Sequence, residues 1–448
     1  MAADTEGLTD AGRTSPRTPI RLSPSESAAV AGKVLLPLVA QGAILRRPRV
    51  TAWAERRQTD RAAASVLGTL RERHAAAPLL VPMGPRRVVV PVHPDDVGAL
   101  LRGSPEPFSP ASREKRAALR HFEPDSVLIS PASRRPPRRA FNEGALDTKE
   151  PVHAEAEALV AAVTREADAL VAESRRRGTL DWSVFAPAFW RAVRTVVLGT
   201  SARDDEHLTE VLARLRGTAN WAYLRPRRPR LREEFDRLLD HYVDLAEPGS
   251  LMASAATAAD ATDVDPRGQA PQWLFAFDAA GAAVIRALAV VASRPDVRDR
   301  LRAESAAGDP SLPYARGCVL ESVRLWPTTL VILRDSTSTT TWGEADLPAG
   351  TSFAIVSAFF HRDGDRLPFA HDFVPDAWLD GSADADWSLV PFSGGPVSCP
   401  GRNVVLLVAS HLLARLAEED LDYSRSRYLA RAPLPATFDH AGVALTAR

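Results

Sequence analysis

One cysteine in a glycine-rich run is the part of this 448-residue chain best suited to chemistry. Cys399 lies in Phe392-Ser393-Gly394-Gly395-Pro396-Val397-Ser398-Cys399-Pro400-Gly401, directly before an apolar helical stretch, Val404 to Leu416. Gly394, Gly395 and Gly401 permit a tight loop with backbone N–H groups turned inward. Pro400 suits the first position of a helix. A sulfur at a helix N-terminus feels a partial positive charge, which favours thiolate over thiol. A thiolate held in such a loop is placed to ligate a soft metal. The only other cysteine, Cys318, is remote in sequence. Iron in a porphyrin, which brings its own remaining ligands, is then the natural candidate. The segment reads equally as a buried, inert cysteine beside a helix cap.

Two further segments must position that loop. Gln272 to Ser293 is apolar almost all round, so it should run through the interior. Its middle, Ala279-Ala280-Gly281-Ala282-Ala283, carries almost no side-chain volume. Something flat and bulky could approach the backbone there, although tight helix–helix packing uses small residues too. Upstream of the cysteine, a helix from Ser311 carries Glu321 and Arg324, a spacing that by itself describes a common solvated pair. Amphipathic helices are expected over 152–176, 184–198, 208–223 and 231–245, and Ala52 to His74 has helical composition. Short strands are expected at 86–92, 330–333, 337–342 and 351–356, with a linker over 250–265.

Together these segments resemble the cytochrome P-450 family. Its cysteine-loop signature, F-x-x-G-x-(R/H)-x-C-x-G, is matched by Phe392, Gly395, Cys399 and Gly401, and its E-x-x-R by Glu321 and Arg324. The order of long small-residue helix, E-x-x-R, cysteine loop and final helix is far more specific than any one of them. The resemblance runs from roughly residue 50 to the end and is strongest after Gln272. It implies a mainly α fold with a small β region and a long central helix over haem (heme b), with Cys399 as the axial thiolate. Glu321 and Arg324 would form a buried ion pair locking the surroundings of the cysteine loop. Arg334 falls where family members place an arginine on a haem propionate; its other reading is a surface arginine. Arg134, Arg135, Arg138 and Arg139 fall at the family's early H-x-x-x-R, with Arg135 and Arg139 the best-aligned pair and a solvated basic patch the alternative. Ala280 and Gly281 match the start of A-G-x-x-T, on the oxygen side of the haem.

The departures are chemical. The threonine of A-G-x-x-T is Val284 here and the acid before it is Ala283, and neither can hold or transfer a proton. Asp278 is nearly two turns earlier and is expected to face elsewhere. Pro400, lacking an N–H, removes one hydrogen bond to the sulfur and should raise its electron donation. Val397 replaces the signature's Arg/His, and Ala377 stands where many members complete a triad with Glu321 and Arg324.

The resemblance therefore implies a haem-thiolate monooxygenase oxidising a hydrophobic small molecule in secondary metabolism, with electrons from a ferredoxin and ferredoxin reductase. The alternative is a peroxide-dependent or redox-neutral enzyme of the same fold.

Composition agrees with a globular protein. There are 56 basic and 56 acidic side chains, 45% hydrophobic residues and 25% charged ones, which gives no support to a nucleic-acid partner. No membrane span is expected, since the best apolar run, Val34 to Leu45, is broken by Pro37 and Gln41. Residues 1–28 read as a disordered leader, 29–448 as a single catalytic domain, and the location as cytoplasmic. The basic run Arg225 to Arg232 reads as a solvated loop, or as a dock for an acidic redox protein.

Overall fold

The computed structural model describes residues 16–42, 44–84, 86–258 and 264–447. Helices dominate, and three small sheets accompany them. The largest sheet has six strands in the order Ile20–Arg21, Leu79–Met83, Arg86–Val90, Ser352–Val356, Val331–Ser336, Phe108–Ser109. The pairings Ile20↔Leu79 and Val88↔Ser352 are parallel, while Val331↔Val356 and Phe108↔Ser336 are antiparallel. A second core of Val, Leu and Phe residues lies beside this sheet.

The main core is helical. Its axis is the helix Ala270–Ser293, which packs on Trp182–Leu198, Pro313–Leu325 and Arg402–Ala417. Seventeen of its residues, from Ala270 to Val291, are buried. Pro266–Ser293 is the one helical stretch among the described residues long and apolar enough to cross a bilayer, but it lies mostly inside the protein. The stretch nearest to a membrane span is thus this helix rather than Val34 to Leu45, and its hydrophobicity serves the core, as its all-round apolar pattern implied.

Three expectations change. The leader expected over 1–28 falls partly outside the described residues, but residues 20–28 are ordered. Ile20 pairs with Leu79, and Ser23 caps the helix Pro24–Val30 through a reciprocal bond with Glu26. The helix expected over 52–74 is two, Pro48–Arg57 and Thr59–Arg73, parted by Gln58 at φ +48°. Its amide is spent on Glu55 O, Thr437 O and the N–H groups of Ala436 and Thr437. Part of the expected linker 250–265 is the helix Leu251–Thr257, capped by Ser250, with Leu251 and Met252 buried.

Candidate functional site

The cysteine loop is held from both flanks. Cys399 N–H donates to Phe392 O at 3.0 Å and Ser398 N–H to Gly395 O at 3.0 Å, closing a tight turn. Gly395 sits at φ +65°, and a Cβ there would stand 2.3 Å from the Leu101 carbonyl oxygen, so only glycine fits. The following helix begins at Arg402 with Gly401 as its cap, which puts Pro400 ahead of the helix rather than at its first position. Thr148 Oγ1 donates to Pro400 O at 2.7 Å and fastens this corner.

Cys399 is half-buried, unlike the fully buried Cys318. Burial pushes the thiol up, against the Gly401 N–H and the charges of Arg139 and Arg402, which pull it down. The N–H that Pro400 lacks is supplied one residue later by Gly401.

Behind the loop, Glu321 and Arg324 are fully buried and doubly bonded, Nη2 to Oε1 at 2.6 Å and Nε to Oε2 at 2.7 Å. Arg324 also donates to the carbonyls of His361, Ala370, Phe369 and Asp372. Glu321 accepts from Val374 N–H and from Trp378 Nε1. The pair is a structural knot that organises the irregular stretch 361–378.

The early arginines separate by role. Pro136 and Pro137 fall in the first turn of Arg135–Ala145, where no intrahelical N–H is needed, so the helix forms in spite of them. Arg139 donates Nη1 to Ser398 O at 2.6 Å, next to the cysteine, and pairs with Glu143. Arg135 is buried and donates to Val127 O. Arg138 pairs with Asp125, and Arg134 is exposed. Arg334, on Val331–Ser336, is buried and donates to Ser104 Oγ, Ser393 Oγ and Leu333 O. Burial lowers both Arg135 and Arg334 to about 10, Arg135 further through Arg139 and Arg334 further through Arg135. Lys115 joins them: burial, then Arg334 and Arg135, press its amine down to about 7. Sequence reasoning passed over Lys115, because a lysine in Arg-Glu-Lys-Arg looks like a solvated helix face.

Arg135 and Arg334 are thus buried cations with no carboxylate bonded to either among the described residues. Such an arrangement calls for an anion.

The central helix has an open side and a packed side. Ala279 is exposed in the middle of an otherwise buried helix, and Gln272, Phe275 and Ala276 are half-buried along the same stripe. Phe122 stacks edge-on against Phe275, and the Arg216 guanidinium lies over that ring, so the stripe is overhung by the 120–126 loop and the helix Glu206–Ala219. Gly281 faces the opposite way, onto Phe189, whose ring carbons would lie 2.8 Å from a Cβ. Ala280 and Val284 are buried. The accessible positions of the helix are thus Gln272, Phe275, Ala276 and Ala279, which do not include the expected Ala280, Gly281 and Val284. Asp278 points at Arg216, with Oδ2–Nη2 at 2.6 Å.

Residues 279–417 match the family model described as Cytochrome P450. Over 130 residues the chain is 31% identical to cyclooctat-9-en-7-ol 5-monooxygenase of Streptomyces melanosporofaciens, 29% of this chain and 26% of that protein. It is 26% identical over 172 residues to the probable cytochrome P450 4s3 of Drosophila melanogaster, 37% of this chain and 35% of the relative. The chain thus matches about a third or less of the length of these relatives. Among solved structures, the retinoic acid-bound cyanobacterial CYP120A1 superposes with a TM-score of 0.69 at 15% identity, covering 85% of this chain and 93% of that one, which shows a shared fold.

Proposed function

The chain belongs to the cytochrome P450 family, and on that premise we propose that it is a haem-thiolate monooxygenase acting on a hydrophobic small molecule in secondary metabolism. Members of the family bind heme b through an axial cysteine thiolate, and that group supplies the oxygen chemistry when bound. The residues present suit it. Cys399 would be the axial ligand, with Phe392, Gly395 and Gly401 shaping its loop. Arg135 and Arg334, with Arg139 and Lys115 beside them, would meet the two propionates, whose charges would relieve the repulsion among these cations. The observation that carries the reading is this pairing of a half-buried cysteine in a glycine-shaped loop with two buried arginines that bond no carboxylate among the described residues.

The chain's own residues would then do the following. The Gly401 N–H tempers the charge on sulfur. Glu321 and Arg324 hold the segment behind the loop in one geometry. The Ala276–Ala279 stripe leaves room on the central helix, and the half-buried Phe275 offers apolar surface to a substrate. Electrons would come from a separate ferredoxin and ferredoxin reductase in the cytoplasm.

Neither the accessible Ala276 and Ala279 nor the buried Ala283 and Val284 beyond them carries an acid or an alcohol. That observation favours a second reading, in which the oxidant is a peroxide that brings its own protons, or the reaction is redox-neutral. The reduced, carbon monoxide-treated protein should show the absorption of thiolate-ligated haem, and Cys399→Ala should lose it. An unchanged spectrum in that variant would overturn the ligand assignment. Product formation with peroxide alone, compared with ferredoxin, reductase and NADPH, separates the two readings.

A further inference from the structure

A second cluster of interior charge lies further along the central helix. Arg286, about two turns beyond Ala279, is buried. It donates Nε and Nη2 to Phe438 O at 3.0 and 2.7 Å, and Nη1 to Trp326 O at 3.2 Å. Arg46 donates to the carbonyls of Gly42 and Thr328. Neither guanidinium is bonded to a carboxylate among the described residues, and each keeps N–H groups to spare.

Both arginines line a cavity of about 10 Å³, room for one water-sized guest. Gln41 lines it too. That side chain is 3% exposed, and its amide nitrogen has no hydrogen-bond partner among the described residues. Asp60 is the one acid on the wall. Its Oδ2 accepts from Thr437 Oγ1 at 2.9 Å. Burial pushes the Asp60 carboxyl up, against the pull of Thr437, Arg46, Arg286 and Arg362, which weakens its repulsion of an anion. Four guanidiniums (Arg46, Arg286, Arg362, Arg425) here face three carboxyl groups (Glu55, Asp60, Asp439), and burial keeps His440 neutral. The cluster therefore holds a surplus of positive charge and of uncommitted donors.

We infer that this cavity binds a single halide ion, chloride under ordinary conditions, held by Arg46, Arg286 and the Gln41 amide. A monatomic anion answers both size and charge, whereas a carboxylate or phosphate exceeds the volume. Water fits the space, but half of its bonding capacity is as a donor, and it leaves the buried charge uncompensated. The ion would tie Gln41, at the end of the helix Leu36–Ala40, to the central helix, so its binding should stabilise the folded protein. None of these residues belongs to the haem reading, and the inference does not depend on it.

Urea midpoints of the full-length protein test this, with sodium chloride or bromide replacing sodium gluconate at constant ionic strength. The midpoint should rise saturably with either halide. Gln41→Leu removes the uncommitted amide and should raise the half-saturating concentration about tenfold or more. Circular dichroism checks that this variant is folded. Crystals of the unaltered protein grown with bromide should show an anomalous diffraction peak in the cavity. A midpoint indifferent to the identity of the anion would overturn the proposal. So would an unchanged halide response in the Gln41 variant, or a cavity that holds only water in the bromide crystals.

Discussion

Trp378 donates its indole N–H to Glu321 Oε2 at 2.9 Å, and so completes the coordination of a carboxylate that no solvent reaches. The residue before it, Ala377, is where the resemblance implies an arginine in many members of the family. A neutral donor on the adjacent position thus takes over part of that cation's role.

Trp378→Phe keeps the ring and deletes the donor, leaving a buried carboxylate oxygen short of one bond. A cost of about 1–3 kcal/mol is expected, read as a lower urea midpoint and faster loss of the thiolate-type spectrum on warming. An unshifted midpoint would show that Glu321 has no need of the indole.

Arg334 has opposite consequences with and without cofactor. In the bare protein it is a buried cation facing Arg135, so Arg334→Gln should leave the apoprotein as stable as before or more so. With haem bound, losing a charge-assisted bond to a propionate should cost about 1.5–3 kcal/mol. Transfer of haem to a scavenger protein should then be about tenfold faster or more. A weakened apoprotein with unchanged haem loss would place the propionates elsewhere.

Ala283 lies one turn beyond the exposed Ala279 but is itself buried, and Ser322 Oγ donates to its carbonyl at 2.8 Å. If dioxygen is the oxidant, Ala283→Thr should raise the share of NADPH electrons appearing in product. Val284→Thr should do less, because position 284 lies further round the helix from the exposed Ala279 and its hydroxyl would be buried at a cost of about 1–3 kcal/mol. Better coupling in the Val284 variant would shift the reacting face back by one residue.

Two buried groups set the pH limits of stability from opposite sides. Burial, then Arg324, press His361 down to about 3, so below its ordinary 6.5 the unfolded chain binds a proton that the folded protein refuses. Stability falls with acidification through that window, by up to about 1.4 kcal/mol per pH unit. Burial lifts Glu123 to about 8, against the pull of Arg216 and Arg232, so the folded protein keeps a proton that the unfolded chain sheds near 4.5. Its contribution is full below that value and is lost as pH rises toward 8. His361→Gln should flatten the acid limb of a denaturation-midpoint profile and Glu123→Gln the alkaline limb. Limbs that keep their slopes would trace the titration to other groups.

What could be read in the sequence was whatever a single local segment encodes. Cys399 with its glycines, the Glu321/Arg324 spacing and the apolar run of the central helix each carry their own signal. What could not be read depends on where distant segments meet. Lys115 reaches the interior only because Arg113–Leu119 folds beside Arg334. Trp378 matters only because the irregular stretch 361–378 wraps onto the helix Pro313–Leu325. The open side of the central helix turns on which face Phe189 fills, a choice that a run of alanines and one glycine does not encode.

The Arg324 guanidinium gathers four carbonyls from residues 361–372, a region with almost no ladder of its own. Those carbonyls lie downstream of the helix that holds the arginine, so during synthesis the cation emerges before the acceptors that will satisfy it. The stretch 361–372 therefore takes its shape from a side chain laid down some forty residues earlier, and settles only once the helix carrying Arg324 is in place.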